Sequence, residues 1–325
     1  MLGADFAYDA PTKSWRIARI PSGDSWIESA RSPLAAPGLN VKEGDELLAV
    51  NGREVGADLS PHACLVNQAD SDVLLRVRRG RRGVAREIDV RTISAEFRLR
   101  YRAWVEANRA RVHKESKGRV GYVHIPDMGP RGYSEFFRHF HQEMDFEGLI
   151  VDVRWNGGGH VSQLLLEKLA RKRVGYDQTR WSGATPYPSE APMGPMVALT
   201  NEYAGSDGDI FSHCFKLYGL GPLIGMRTWG GVVGIWPRHA LVDGTITTQP
   251  EFSYWFTDVG WNVENYGTDP DIEVDIRPQE HAAGLDPQLE RALAEVTKIL
   301  KKEKPSVPKL DRRPKLSPPR LKKSE

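Results

Sequence analysis

Met196-Val-Ala-Leu-Thr-Asn-Glu-Tyr-Ala-Gly-Ser206-Asp-Gly-Asp-Ile-Phe211 passes from a short apolar strand through a polar turn into the start of a helix. A serine on a sharp strand-to-helix turn has its hydroxyl lifted clear of the sheet, with the next amide, here that of Asp207, pointing into the same space. That arrangement suits a nucleophile with an oxyanion donor beside it. Ser and Asp are equally at home as helix N-caps, where they satisfy the first free amides. The stretch alone leaves both readings open, and its surroundings must decide between them.

Outward from this turn, β and α patterns alternate from Gly118 onward. Strands are expected over 119–125, 148–153, 196–200 and 223–225, and helices over 133–144, 161–172 and 210–218. Strand and helix in this order predict a mostly parallel sheet covered by helices, with ligands at the carboxyl ends of the strands. The loop after the second strand is Arg154-Trp-Asn-Gly157-Gly-Gly159-His160. Consecutive glycines let backbone amides approach and point at an oxygen. A phosphate loop is the weaker reading, because the Lys-Ser or Lys-Thr of a P-loop is missing. Further on, Asp243-Gly244 marks a hairpin turn. Glu264 stands among glycines and aromatics as either a polar anchor or a surface acid. A last helix is expected from about 287 to 301.

The first 94 residues read as a small β-rich domain. Its informative part is Ser32-Pro-Leu-Ala-Ala-Pro-Gly38-Leu followed by Gly44-Asp-Glu-Leu-Leu-Ala-Val-Asn-Gly52. Asn51-Gly52 supplies the positive φ angles of a tight hairpin. This segment resembles a PDZ domain, a fold that takes an extended peptide as an added strand; a brace that binds nothing is the competing reading. Residues 95–117 read as a connecting helix, with Phe97, Tyr101, Trp104, Val105 and Asn108 on one stripe and arginines elsewhere. His113 near its end is expected at the surface.

The composition is that of an ordinary globular protein, 40% apolar and 27% charged, and 325 residues suffice for two domains. No apolar run is long enough to span a bilayer and the N-terminus lacks the features of a secretory signal, so a cytoplasmic location is expected. Cys64 and Cys214 lack metal-ligand spacing and are expected reduced and buried. No metal or other cofactor is called for. Residues 301–325 hold ten Lys or Arg against three Asp or Glu, leaving −5 for the rest of the chain. This tail is expected to be disordered, and without accompanying motifs it does not imply nucleic acid binding.

Asn156-Gly-Gly-Gly159, Asn201-Glu-Tyr-Ala-Gly-Ser206-Asp-Gly-Asp and Thr228-Trp-Gly-Gly231, in that order behind a PDZ-like segment, resemble the tail-specific protease superfamily, and within it the tricorn type. The resemblance implies an α/β, crotonase/ClpP-like peptidase domain over 118–300 following the PDZ-like domain, 1–94. It implies Ser206 as nucleophile, the Gly159 and Asp207 amides as oxyanion hole, and Glu264 as the acidic member of the catalytic set. Asp177 would draw a basic side chain of a peptide substrate into the first specificity pocket. In tricorn-type members that carboxylate serves a neighbouring subunit, so a homo-oligomer, a hexamer, is implied. Ser-Lys members place their base where this chain has Gly231, whereas tricorn-type members use a histidine from a domain preceding the PDZ segment. Neither base is found in these residues. The expectation is therefore a fragment, or a chain that meets a partner supplying the histidine. The alternative is an inactive PDZ-bearing scaffold. His160 is the best-placed substitute base and His213 a worse one.

Overall fold

A computed structural model describes residues 1–24, 26–179 and 181–309. The chain divides into two compact units, Met1–Asn108 and Arg109–Glu325. The first is built on strands β1 (Asp5–Asp9), β2 (Ser14–Arg19), β3 (Glu46–Val50) and β4 (Arg53–Glu54), a short helix α1 (Pro61–Cys64), and strands β5 (Asp72–Arg78) and β6 (Ala85–Arg91). They form one antiparallel sheet in the order β1-β2-β3-β5-β6, with β4 paired to β3. Residues of period two face inward: Val73, Leu75 and Val77 of β5 are almost fully buried and pack with Ile17, Leu34, Leu47 and Val50. The turn between β3 and β4 has Asn51 at φ 49° and Gly52 at φ 75°, as the Asn-Gly pair predicts.

Helix α2 (Phe97–Glu115) spans the division between the units. Its buried positions are Leu99, Arg102, Ala103, Val105, Asn108 and Val112, so the expected stripe holds at Val105 and Asn108, is half-buried at Tyr101 and Trp104, and fails at Phe97, which is exposed while Arg102 is inside. The buried face is centred on the small and aliphatic residues Leu99, Ala103 and Val105 beside the aromatics. His113 also departs from expectation. It is half-buried, stacked on Phe146 and bonded through Nε2 to the buried Glu143 at 2.7 Å.

The second unit alternates as expected: β7 (Val120–His124), α3 (Pro130–Glu143), β8 (Gly148–Asp152), α4 (Ser162–Leu169), the strands β9 (Gly175–Gln178) and β10 (Ala184–Tyr187), then β11 (Met196–Thr200), α5 (Asp207–Leu217) and β12 (Leu223–Gly225). A hairpin of β13 (Gly234–Ala240) and β14 (Ile246–Phe252), the short β15 (Ile272–Glu273), α6 (Pro278–Ala282) and α7 (Pro287–Lys302) complete it. The main sheet runs β15-β12-β11-β8-β7, every pair parallel. Every residue of β7, β8 and β11 is buried, the mark of a parallel sheet covered on both faces. Phe136 and Phe140 of α3, Leu165 and Leu169 of α4, and Phe211 and Phe215 of α5 fill one side.

Two hairpins, β9–β10 and β13–β14, stand apart from this sheet; the first has no counterpart in the expected elements. The basic tail was placed at 301–325, yet Lys301 and Lys302 close helix α7, and 310–325 lie outside the described residues. Cys64 is buried, Cys214 is half-buried, and both thiols are free. Among the described residues no helix is long and apolar enough to cross a membrane.

Candidate active site

β8 and β11 are hydrogen-bonded neighbours, so the loops leaving their carboxyl ends meet. Those loops carry the glycines and Ser206. Two asparagines tie them together. Asn156 accepts the Gly205 amide on its backbone oxygen at 3.0 Å, and its buried side chain spans the Ile125 carbonyl and the Gly158 amide. Asn201 accepts the Trp155 amide at 2.9 Å.

Ser206 occupies the N-cap position of α5 but makes no side-chain capping bond, and its backbone has φ 54° and ψ −120°. A β-carbon at positive φ is strained and persists only where the surroundings impose it. An ordinary capping serine has extended backbone and spends its oxygen on the helix amides. Both features distinguish Ser206 from one.

The glycine loop presses against this turn from the other side. A β-carbon at Gly158 would lie 2.6 Å from Cβ of Ser206, and one at Gly159, where φ is 150°, would lie 2.0 Å from the Met128 carbonyl oxygen. Neither position admits a side chain. Among the described residues, neither the Gly159 amide nor the Asp207 amide donates to a protein acceptor. The side chain of Asp207 looks elsewhere, accepting from the amide and hydroxyl of Ser162 at the start of α4. Burial nonetheless pushes its carboxyl above the ordinary range, against the pull of those bonds.

A cavity of about 190 Å³ opens here, lined by Gly159, His160, Ser206, Ile210, Val232, Gly234, Ile235, Phe252 and Tyr254. Its lining mixes polar and apolar surface, and the base of the β13–β14 hairpin supplies Gly234, Ile235 and Phe252. Sequence reading found the polar members and missed the hairpin's contribution. The aromatic alternation Phe252-Ser-Tyr254 was the available signal.

His160 is exposed and its ring is stacked on Trp236, centroids 4.3 Å apart; no hydrogen bond joins it to Ser206 among the described residues. His213 lies within α5, bonded to Asp258 at 3.1 Å and facing the Thr268 hydroxyl, and borders a different cavity. Glu264 is half-buried and takes two amides on one oxygen, Val232 at 2.7 Å and Val233 at 2.6 Å. It is thereby linked to the cavity wall rather than spent at the surface. The Trp229 ring lies 2.4 Å from where a β-carbon at Gly231 would stand, so a lysine there would have to displace it. Asp177 is exposed on β9, accepts the Thr185 hydroxyl at 2.6 Å, and is not among the residues lining the Ser206 cavity.

Residues 119–274 match the profile of peptidase family S41, and residues 1–95 match that of the tricorn protease PDZ domain. The tricorn protease homolog 1 of Streptomyces coelicolor is 49% identical over 90% of this chain and 28% of its own length. The tricorn protease of Thermoplasma acidophilum is 47% identical over 90% of this chain and 27% of its own. A crystal structure of the tricorn protease superposes with a TM-score of 0.87 at 45% identity, covering 93% of this chain and 29% of that one. The chain thus spans under a third of the length of these relatives. With both of its domains matched in order, the chain belongs to peptidase family S41, as a tricorn-type member with a PDZ domain ahead of the peptidase domain.

Proposed function

We propose that this chain supplies the nucleophile and oxyanion hole of a serine peptidase site acting on peptides. What carries the reading is the pair of free amides, Asp207 and Gly159, beside a strained serine whose hydroxyl caps nothing. In this reading Ser206 Oγ attacks the scissile carbonyl carbon and its proton passes to a base. The two amides hold the oxyanion, the amine leaves with the proton, and water then hydrolyses the acyl-enzyme. Loss of one such donor costs about 10²–10³ in kcat.

Glu264 anchors the 228–233 loop through the Val232 and Val233 amides and is the acidic member of the catalytic set, by resemblance to tricorn-type members. Asp177 confers preference for cleavage after Lys or Arg, acting on the site of a neighbouring copy in a hexamer. Its exposure, and its place outside the Ser206 cavity, support a role across copies. The histidine base comes from a segment or partner beyond these residues; no hydrogen bond to His160 prepares Ser206 here. The same observation favours the second reading, a chain that is inert alone and serves as a peptide-binding scaffold.

Fluorophosphonate labelling separates these. The chain, Ser206→Ala, and the chain supplied with a histidine-bearing tricorn-type segment are compared. Labelling that appears with the segment and vanishes in Ser206→Ala is expected. No labelling in any arm would overturn the peptidase reading in favour of the scaffold.

A further inference from the structure

Asp209, three residues into α5 from Ser206, is completely buried. Its Oδ1 accepts the Gly230 amide at 2.8 Å, while Oδ2 is sealed from solvent without a hydrogen-bond partner among the described residues. A buried carboxylate oxygen left unpaired is costly, and such atoms need an explanation. The groups facing it are the Thr228 hydroxyl and Gly230 amide from the 228–233 loop, the Ser206 amide from its own helix, and the negative charge of Glu264. His213, one turn further along the same face, is engaged with Asp258, and Asp207, the other acid of the helix start, with Ser162. The loop between the two carboxyl groups is held from both sides. Asp209 takes the amide of Gly230, Glu264 takes those of Val232 and Val233, and the Asn265 amide returns to the Gly230 carbonyl.

We propose that Asp209 is a positioning residue that locks the 228–233 loop, and through it Glu264, onto the Ser206 helix, pairing the two carboxyl groups across that loop. This rests on the peptidase reading for its purpose but not for its test. Burial, then the nearby Glu264 charge, raise the Asp209 carboxyl above its ordinary range, against the Thr228 hydroxyl and the Gly230 and Ser206 amides, whose dipoles favour the anion.

The test needs no catalysis. Carboxyl ¹³C shifts of the full chain labelled at Asp and Glu are titrated in the parent, Asp209→Asn, Glu264→Gln and Ser206→Ala. One Asp resonance is expected to titrate above the ordinary carboxylates, to vanish in Asp209→Asn, and to move down in Glu264→Gln. Ser206→Ala is expected to leave it in place. A midpoint at or below the exposed carboxylates, or no movement in Glu264→Gln, would overturn the pairing. If Asp209→Asn fails to fold, the Glu264→Gln shift still decides. Asp209→Asn keeps an acceptor for Gly230 and is expected to melt near the parent, whereas Asp209→Ala melts lower; equal melting of both would overturn the locking role. Failure of Ser206 to label would leave all these results standing and strike only the peptidase reading.

Discussion

The second unit carries two groups that resemblance assigns to one reaction, and it builds them in opposite ways. Ser206 and the glycine loop sit on the ends of β8 and β11, strands with no exposed residue, and are bracketed by Asn156, Asn201 and the Met128 backbone. Asp177 sits on a two-stranded ribbon that pairs with no other strand among the described residues, between exposed Val174 and Tyr187. The first region holds its geometry from within. The second presents an exposed carboxylate on a ribbon without a sheet behind it, and an isolated hairpin is at best marginally rigid. Bond-making groups need sub-ångström placement, whereas a charge that selects substrates can act from a more adaptable element.

The contrast breaks most sharply at the nucleophile. Ser206→Ala is expected to reduce hydrolysis by the assembled protein about 10⁴–10⁶-fold with no loss of stability, measured by peptide turnover and thermal melting. A modest rate loss would mean the strained turn has another purpose.

Next in size is the support beneath the glycine loop. Arg154 is fully buried, chelated by Asp152 and paired with Asp286 and Gln288. Burial works against a charged Asp152, but Arg154 outweighs it and holds the carboxyl below its ordinary range. A carboxyl lowered by folding contributes stability above its unfolded value of about 3.9 and loses it as pH falls through the lower folded one. Arg154→Ala removes the counter-charge and is expected to cost about 3–5 kcal/mol. It should also reverse the sign, because burial alone raises the carboxyl, so that the variant loses stability as pH rises from 4 toward 7, values taken as the ordinary acid-to-neutral span. Denaturant titrations at several pH values check both. An unchanged pH slope would show that solvent reaches Asp152.

Gly159→Ala comes third. Its β-carbon would meet the Met128 carbonyl at 2.0 Å, so the loop must shift and turn its amide away from Ser206. A loss of about 10²–10³ in kcat with KM little changed is expected, the signature of a donor that matters only in the transition state.

The same contrast governs what the sequence disclosed. β8 and β11 are continuous apolar runs bounded by glycine and polar turns, so strands, parallel order and the Ser206 turn were legible from local pattern. Local pattern could not choose between an N-cap and a strained turn, because that depends on a φ of 54° at Ser206, whose β-carbon fits only because Gly158 across the loop has none. It hid Asp209 too, which reads as a first-turn acid until the 228–233 loop closes over it. The β9–β10 ribbon escaped because its strands are four residues each, with a proline in one and charges or polar groups through both. In α2 Val105 and Asn108 of the expected stripe are buried, but Leu99 and Ala103 take the place of Phe97, because an aromatic at a helix start can stay in solvent where small aliphatics cannot be spared from the core.

Asp177 gives the smallest expected effect and the sharpest discrimination. Asp177→Asn keeps the ribbon, because the bond from Thr185 needs only an acceptor, and it leaves the Ser206 cavity untouched. Turnover of peptides cut after an apolar residue should therefore hold, while kcat/KM for those cut after Lys or Arg falls about tenfold to a hundredfold, the worth of a charge-assisted bond. If the carboxylate acts across copies, chains bearing Asp177→Asn mixed and reassembled with chains bearing Ser206→Ala should regain part of the basic preference, each supplying what the other lacks. If it acts within one chain, the mixture can do no better than its Asp177→Asn component. Recovery in the mixture would mean that the rigid half of the reaction is folded into each chain and the selective half is completed only by assembly.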